Sequence, residues 1–120
     1  MSECIFCKIV QGKKKVETIL YENRNFLSIP DANPVVKGHS LVISKKHFPT
    51  ILDMPNTVGS ELIDCIKNTA IKIMKEQNAD GFNVVNNNFE SAGQVVDHIH
   101  FHIHPRRKDD GVNFDRIVKG

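Results

Sequence analysis

Apolar positions recur along this chain with two different periods. Ile5, Phe6, Ile9 and Val10 stand a helical turn apart and predict a short amphipathic helix over residues 4–11, closed near Gly12. Lys13, Lys14 and Lys15 follow as a solvated link. Residues 16–22, 26–31 and 39–45 read as short strands, separated by turn formers at Asn23-Arg24-Asn25 and from Asn33-Pro34 to Gly38. That order predicts an antiparallel meander. Leu62, Ile63, Ile66, Ala70, Ile73 and Met74 make one stripe at helical spacing, with an N-cap expected at Pro55-Asn56-Thr57 and an end at Asn78 to Gly81. Residues 82–85 predict a fourth strand and residues 95–104 a fifth, stopped by Pro105, with the polar stretch 86–94 turning between them. From Arg106 onward no period assigns a structure. The sum is an α+β fold: about five antiparallel strands, one long helix and a short N-terminal one.

A chain of 120 residues is long enough for a single core without disulfides, so one domain over residues 1–120 is expected, with 107–120 as a tail. Its 40% hydrophobic and 25% charged residues are ordinary for a globular protein, and a net charge of +2 is too small for wholesale binding to a nucleic-acid backbone. Lysines interrupt the N-terminal apolar residues early, which argues against a signal peptide or membrane span and for a cytoplasmic protein. In a reducing compartment Cys4-Ile5-Phe6-Cys7 points to metal or redox chemistry rather than to half a disulfide framework. A redox motif needs a strand before it, and only three residues precede Cys4. Cys65 falls on the helix stripe and reads as packing.

Asp97-His98-Ile99-His100-Phe101-His102-Ile103-His104-Pro105 places four of the six histidines at alternate positions. On a strand this sends His98, His100, His102 and His104 to one face and Ile99, Phe101 and Ile103 to the core. Same-face neighbours lie roughly 6.6 to 7 Å apart, close enough to share a ligand. Besides a merely solvated face, two chemistries account for such a row. Imidazoles two apart on a strand can chelate a metal. Alternatively, a neutral imidazole can attack phosphorus while a neighbouring imidazolium protonates the leaving group.

The run from Gly93 to Arg106 resembles the signature of the histidine triad family. Lys37 to His47 is similar to that family's middle block, Ile29-Pro30-Asp31 to its ribose-contacting strand end, and Cys4 to Ile9 to its opening helix. The resemblance implies a nucleotide phosphoramidase or hydrolase that releases a nucleoside 5'-monophosphate through a covalent histidine intermediate. Alternatives are a dinucleoside polyphosphate hydrolase, a non-catalytic purine-nucleotide-binding module, and a metal-handling protein. It makes His100 the nucleophile, His102 a phosphate contact and proton donor, and His39 their partner in proton transfer. Asn87 and Gln94 are implied to bind phosphate or leaving group, with Val95 offering only its backbone N–H where the family commonly has a hydroxyl. Asp31 is implied to hold the ribose, and Ile5, Phe6, Ile9, Ile29 and Leu41 to line the base pocket. Zinc-carrying members of the family further imply a structural Cys₂His₂ site from Cys4, Cys7, His47 and His98, and a homodimer acting on purine nucleotides. His104 departs from the family, which usually has a hydrophobic residue there, and it is expected at the site or at its solvent edge.

Overall fold

A computed structural model describes residues 4–119. Its elements follow the expected order, with strand β1 at Tyr21–Glu22, β2 at Phe26–Pro30, β3 at Ser40–Ser44, β4 at Gly81–Val85 and β5 at His100–Arg106. Helix α1 covers Ile5–Val10, α2 covers Gly59–Gln77, and α3 covers Phe114–Lys119. The strands form one antiparallel sheet in the order β1-β2-β3-β5-β4, so the histidine strand lies inside the sheet, between β3 and the edge strand β4. Among the described residues no helix is long and apolar enough to cross a membrane.

Period-two alternation divides the core into two layers. Phe26, Val42, Phe101 and Ile103 turn to one face and meet Leu62, Cys65, Ala70 and Ile73 of α2. Leu27, Ile29, Leu41 and Ile43 turn to the other and meet Phe6 and its neighbours on α1. The register opposes Leu41 to His102 and Ile43 to His100, which puts both histidines on the α1 face. That face is not solvated, which sets aside the merely solvated row and leaves the two chemical readings. All four histidines of the row are buried, and His104 is 0% exposed.

Three boundaries differ from expectation, each for a tertiary reason. Only Tyr21 and Glu22 of residues 16–22 pair as a strand, because the segment wraps the sheet edge: Val16 packs on the α1 side and Leu20 on the α2 side. Residues 95–99 are not strand either. Val96 joins the α1 layer and Ile99 the α2 layer, and β5 begins at His100. Pro105 does not stop β5, for it lies past the end of β3, where only β4 still pairs and one missing N–H is tolerated. The long helix has no side-chain N-cap; a 3-10 turn at Asn56–Val58 leads into it, while Asn78 ends it in the left-handed conformation at φ 52°. The tail beyond Arg106 folds back as α3, with Ile117 buried.

Gly38 shows how tightly the turn into β3 is held. Its φ of +92° suits glycine, and a Cβ there would meet Gln77 Cγ at 2.6 Å and Pro105 Cγ at 3.0 Å. This close approach presses the end of α2 and of β5 against the turn that carries His39.

Candidate active site and metal centre

Two imidazole clusters lie at opposite ends of the histidine strand, and their hydrogen bonds assign them different chemistry. In the first, Cys4 and Cys7 stand at the start of α1, where Cys4 Sγ accepts the Cys7 N–H at 3.4 Å as the helix N-cap. Cys7 Sγ lies 3.1 Å from His47 Nδ1 and 3.5 Å from His98 Nδ1, and Cys4 Sγ lies 3.3 Å from His98 Nδ1. One donor atom from each of the four residues falls within 4.8 Å of all the others. A tetrahedral zinc with ordinary bond lengths separates sulfur from nitrogen by about 3.6 Å, so the donor set fits. His98 Nε2–H also donates to the Ser44 carbonyl at 2.8 Å, leaving the Nδ1 lone pair aimed at the thiols. A ligating histidine is usually fixed in this way. Burial holds the Cys7 thiol above its ordinary pKa, which a bound cation reverses by favouring thiolate.

In the second cluster His39, His102 and His104 also bring nitrogens within 4.8 Å of one another. Here the outer hydrogen bond has the opposite sense. The Val35 N–H donates to His39 Nδ1 at 3.1 Å, so in neutral His39 the proton sits on Nε2. That Nε2–H points at His102 Nδ1, 2.9 Å away, with Asp31 Oδ2 at 3.4 Å from the same nitrogen. His102 Nδ1 is thereby an acceptor, and its own proton sits on Nε2. A metal on His39 Nε2 would have to displace a proton that the Val35 N–H keeps there. The hydrogen bonds join the two rings in a chain along which a proton can pass, and they oppose a cation on His39 Nε2.

His100 lies between the two clusters. Its Nδ1–H donates to the His98 carbonyl at 2.8 Å, which leaves Nε2 with a free lone pair. Burial lowers its pKa, so the neutral form is favoured. Phe6 sits edge-on to His100 at 5.1 Å and to His98 at 5.6 Å, linking the surroundings of His100 to the cysteine cluster.

A cavity of about 770 Å³ opens at this point, within the range of small-molecule sites. His100, His102 and Asp31 line it together with Lys14 and Lys15 of the link after α1 and with Glu17, while Ile5, Phe6, Ile9, Ile29 and Leu41 form an apolar wall. Val95 lines the rim and is 88% exposed. Asp31 Oδ1 accepts the Asn33 N–H in a local turn, which leaves Oδ2 toward the histidines; burial raises the carboxyl's pKa. The turn role and an open oxygen therefore coexist in one side chain.

Asn87 and Gln94 do not line this cavity. Gln94 Oε1 accepts the Phe89 N–H at 2.6 Å, and Nε2 donates to the carbonyls of Pro49 and Val96. Those bonds secure a loop in which Phe89 takes φ 72°, and they leave no donor for phosphate. Asn87 Nδ2 donates to the Val118 carbonyl at 3.0 Å and anchors the end of α3. The residues not foreseen are those acting through backbone or from the tail: Val35, Ser44, and Lys119 at the cavity mouth. No local pattern marks an N–H or a carbonyl as a tautomer switch, whereas Lys119 belonged to a segment without periodicity.

Burial pushes His39 and His104 down to about 4 and His102 down to about 3. Each binds a proton less readily folded than unfolded. Below the reference value of about 6.5 the unfolded chain therefore takes up more protons. Stability is expected to fall as the pH drops from about 6.5 toward 4, with each buried histidine contributing up to about 1.4 kcal/mol per pH unit. Urea midpoints measured across that range check this, and a flat profile between pH 6.5 and 4.5 contradicts it.

An antiparallel sheet bearing alternate histidines on an inner strand, beside a Cys₂His₂ cluster, defines the class of histidine triad proteins. The family model described as HIT domain matches residues 13–109, and the chain belongs to that family. It is 44% identical over 126 residues to an uncharacterized HIT-like protein of Methanocaldococcus jannaschii, covering 97% of this chain and 96% of the relative. It is 33% identical over 132 residues to an adenosine 5'-monophosphoramidase of Candida albicans, covering 98% of this chain and 86% of the enzyme. Among solved structures, a zinc-bound histidine triad family protein from Mycobacterium smegmatis superposes with a TM-score of 0.79 at 36% identity, covering 94% of this chain and 81% of that one.

Proposed function

We propose that this chain is a hydrolase that releases a nucleoside 5'-monophosphate from a phosphoramidate, with His100 as a covalent nucleophile. The observation that carries this reading is the free Nε2 of His100 beside the His39–His102 relay, inside a cavity with one apolar wall. In the first step the Nε2–phosphorus bond forms and the bond from phosphorus to the leaving group breaks. The leaving group takes the His102 Nε2 proton. To give this one up without becoming an anion, the His39–His102 pair must first take up one extra proton, on His39 Nδ1 in place of the Val35 N–H contact. The proton arrives with the anionic substrate, whose charge offsets the burial that lowers the basicity of both rings. Water then attacks the phosphorus, the pair recovers a proton from it, and the bond to His100 breaks.

Ile5, Phe6, Ile9, Ile29 and Leu41 sandwich the base, and Asp31 Oδ2 holds the ribose hydroxyls. The adenosine substrate of the Candida relative supports a purine. Zinc on Cys4, Cys7, His47 and His98 has a structural role, fixing α1 to the sheet while His100 stays uncoordinated. Thiolate ligation suits a reducing, cytoplasmic setting. The edge strand β4 exposes Phe82 and Val84, and α2, which contacts it, exposes Ile63 and Ile71; these apolar groups support a homodimer through the β4 edge. Incubation with adenosine 5'-phosphoramidate should yield AMP and, on rapid denaturation, a nucleotidyl group attached through an acid-labile bond to the peptide containing His100. Adenosine monophosphate without any adduct on that peptide would point to direct attack by water and defeat the covalent step.

A further inference from the structure

His104 is the one member of the histidine row that neither cluster's chemistry uses. It is 0% exposed, and neither ring nitrogen makes a hydrogen bond of good geometry, the backbone of Ile117 being a loose polar neighbour. Such an imidazole costs stability relative to an aliphatic side chain of similar size, because its donor and acceptor give up water for nothing. Packing alone does not account for it.

Its ring contacts do. The β3–β5 register, continued one residue beyond Ser40 and Ile103, sets His39 opposite His104. Their ring centroids lie 4.0 Å apart at 39°, closer than any other ring pair in the row, whereas His104 and His102 are parallel to within 7° at 5.8 Å. The His104 ring thus lies tilted against His39, while its edge meets only the Ile117 backbone at poor hydrogen-bond geometry. The charged or titratable groups near it are His39, Asp31 and Arg106, with His102 stacked parallel at 5.8 Å. Arg106 is already neutralised by its paired bonds to Asp110, at 2.7 and 3.0 Å.

We infer that His104 is a positioning residue of the relay, whose neutral ring face supports the extra proton shared by His39 and His102 during turnover. An imidazolium against a π face is stabilised by attraction to the ring, most strongly where water is excluded. An aliphatic residue fills the same space without offering that attraction. The inference rests on the reaction proposed above, in which a bound phosphate anion brings the extra proton to the pair.

The test compares His104→Ile and His104→Phe with the wild type. The Ile variant is expected to melt about 4 °C higher, because two unpaired nitrogens are gone. Its kcat should nevertheless fall about tenfold with KM little changed, and the basic limb of its kcat profile should move down by about one pH unit. The Phe variant, which keeps a ring face, should recover most of the rate. Wild-type rate and pH limb in the Ile variant overturn the inference, as does a Phe variant as slow as the Ile one. A readout independent of the reaction is the nitrogen NMR titration of His39 and His102 with AMP bound. If the wild type releases no AMP at all, the proposed reaction falls on its own. The His104 inference is then judged by whether that titration shifts in His104→Ile, and an unchanged titration overturns it.

Discussion

Replacing His100 with alanine is expected to lower AMP release from adenosine 5'-phosphoramidate by about a thousandfold or more, the scale on which enzymes lose rate when a nucleophile is removed. The size follows from the division of roles in the cavity. The apolar wall and Asp31 hold the substrate whether or not position 100 carries a ring, so nucleotide affinity should change only a few-fold. What disappears is the one lone pair aimed at phosphorus, because His102 Nδ1 is committed to His39 and His98 Nδ1 to the cysteines. The fold should tolerate the change, since the ring's hydrogen bond is to the adjacent His98 carbonyl rather than to a distant element. Steady-state turnover, calorimetric AMP affinity and the melting temperature together check the prediction. Turnover within tenfold of wild type would sink it, and would move the attacking group to water.

Zinc removal is expected to have the second large effect, on stability first and on substrate binding through it. The four donors come from three separate places in the chain: the start of α1, the loop after β3 and the approach to β5. A metal joining them closes long loops and binds only the folded chain. If free zinc exceeds its dissociation constant a thousandfold, the folded state gains about 4 kcal/mol, which for a domain of this size corresponds to a melting shift of roughly 10–15 °C. Chelation, or Cys7→Ser, should remove that increment. Because α1 carries Ile5, Phe6 and Ile9 into the cavity, KM for the phosphoramidate should rise more than kcat falls. By linkage, bound nucleotide should in turn slow zinc loss to a chelator. Metal analysis of protein purified without chelator should find about one zinc per chain. A metal-free protein whose melting temperature ignores chelators would remove the centre.

Both predictions depend on features that differ in how far the sequence reveals them. Alternation of histidine with Ile99, Phe101 and Ile103 is enough to send one set into the α2 layer, since a period of two leaves a strand no other choice. The stripe from Leu62 to Met74 is enough for the long helix, and the Cys-x-x-Cys spacing is enough to put both sulfurs at one helix start. Resemblance at the level of motifs nominated His100, His102, His39 and the four zinc ligands, and the fold gathers each group in one place.

An amide in a polar loop looks the same in sequence whether it faces a ligand or closes the loop upon itself, and here the donors of Gln94 and Asn87 meet backbone carbonyls. His104 was expected at the site or its solvent edge, and it lies buried because α3, from a segment with no readable period, folds back over that end of the sheet. Sequence by itself thus determined which residues share a face and which elements carry them, since these follow from repeat distances along the backbone. Tertiary structure alone decided which nitrogen of each imidazole keeps its proton. The Ser44 carbonyl, the His98 carbonyl and the Val35 N–H make that choice, and any residue type supplies such groups. Their effect depends on position in space, to which a pattern of side chains is blind.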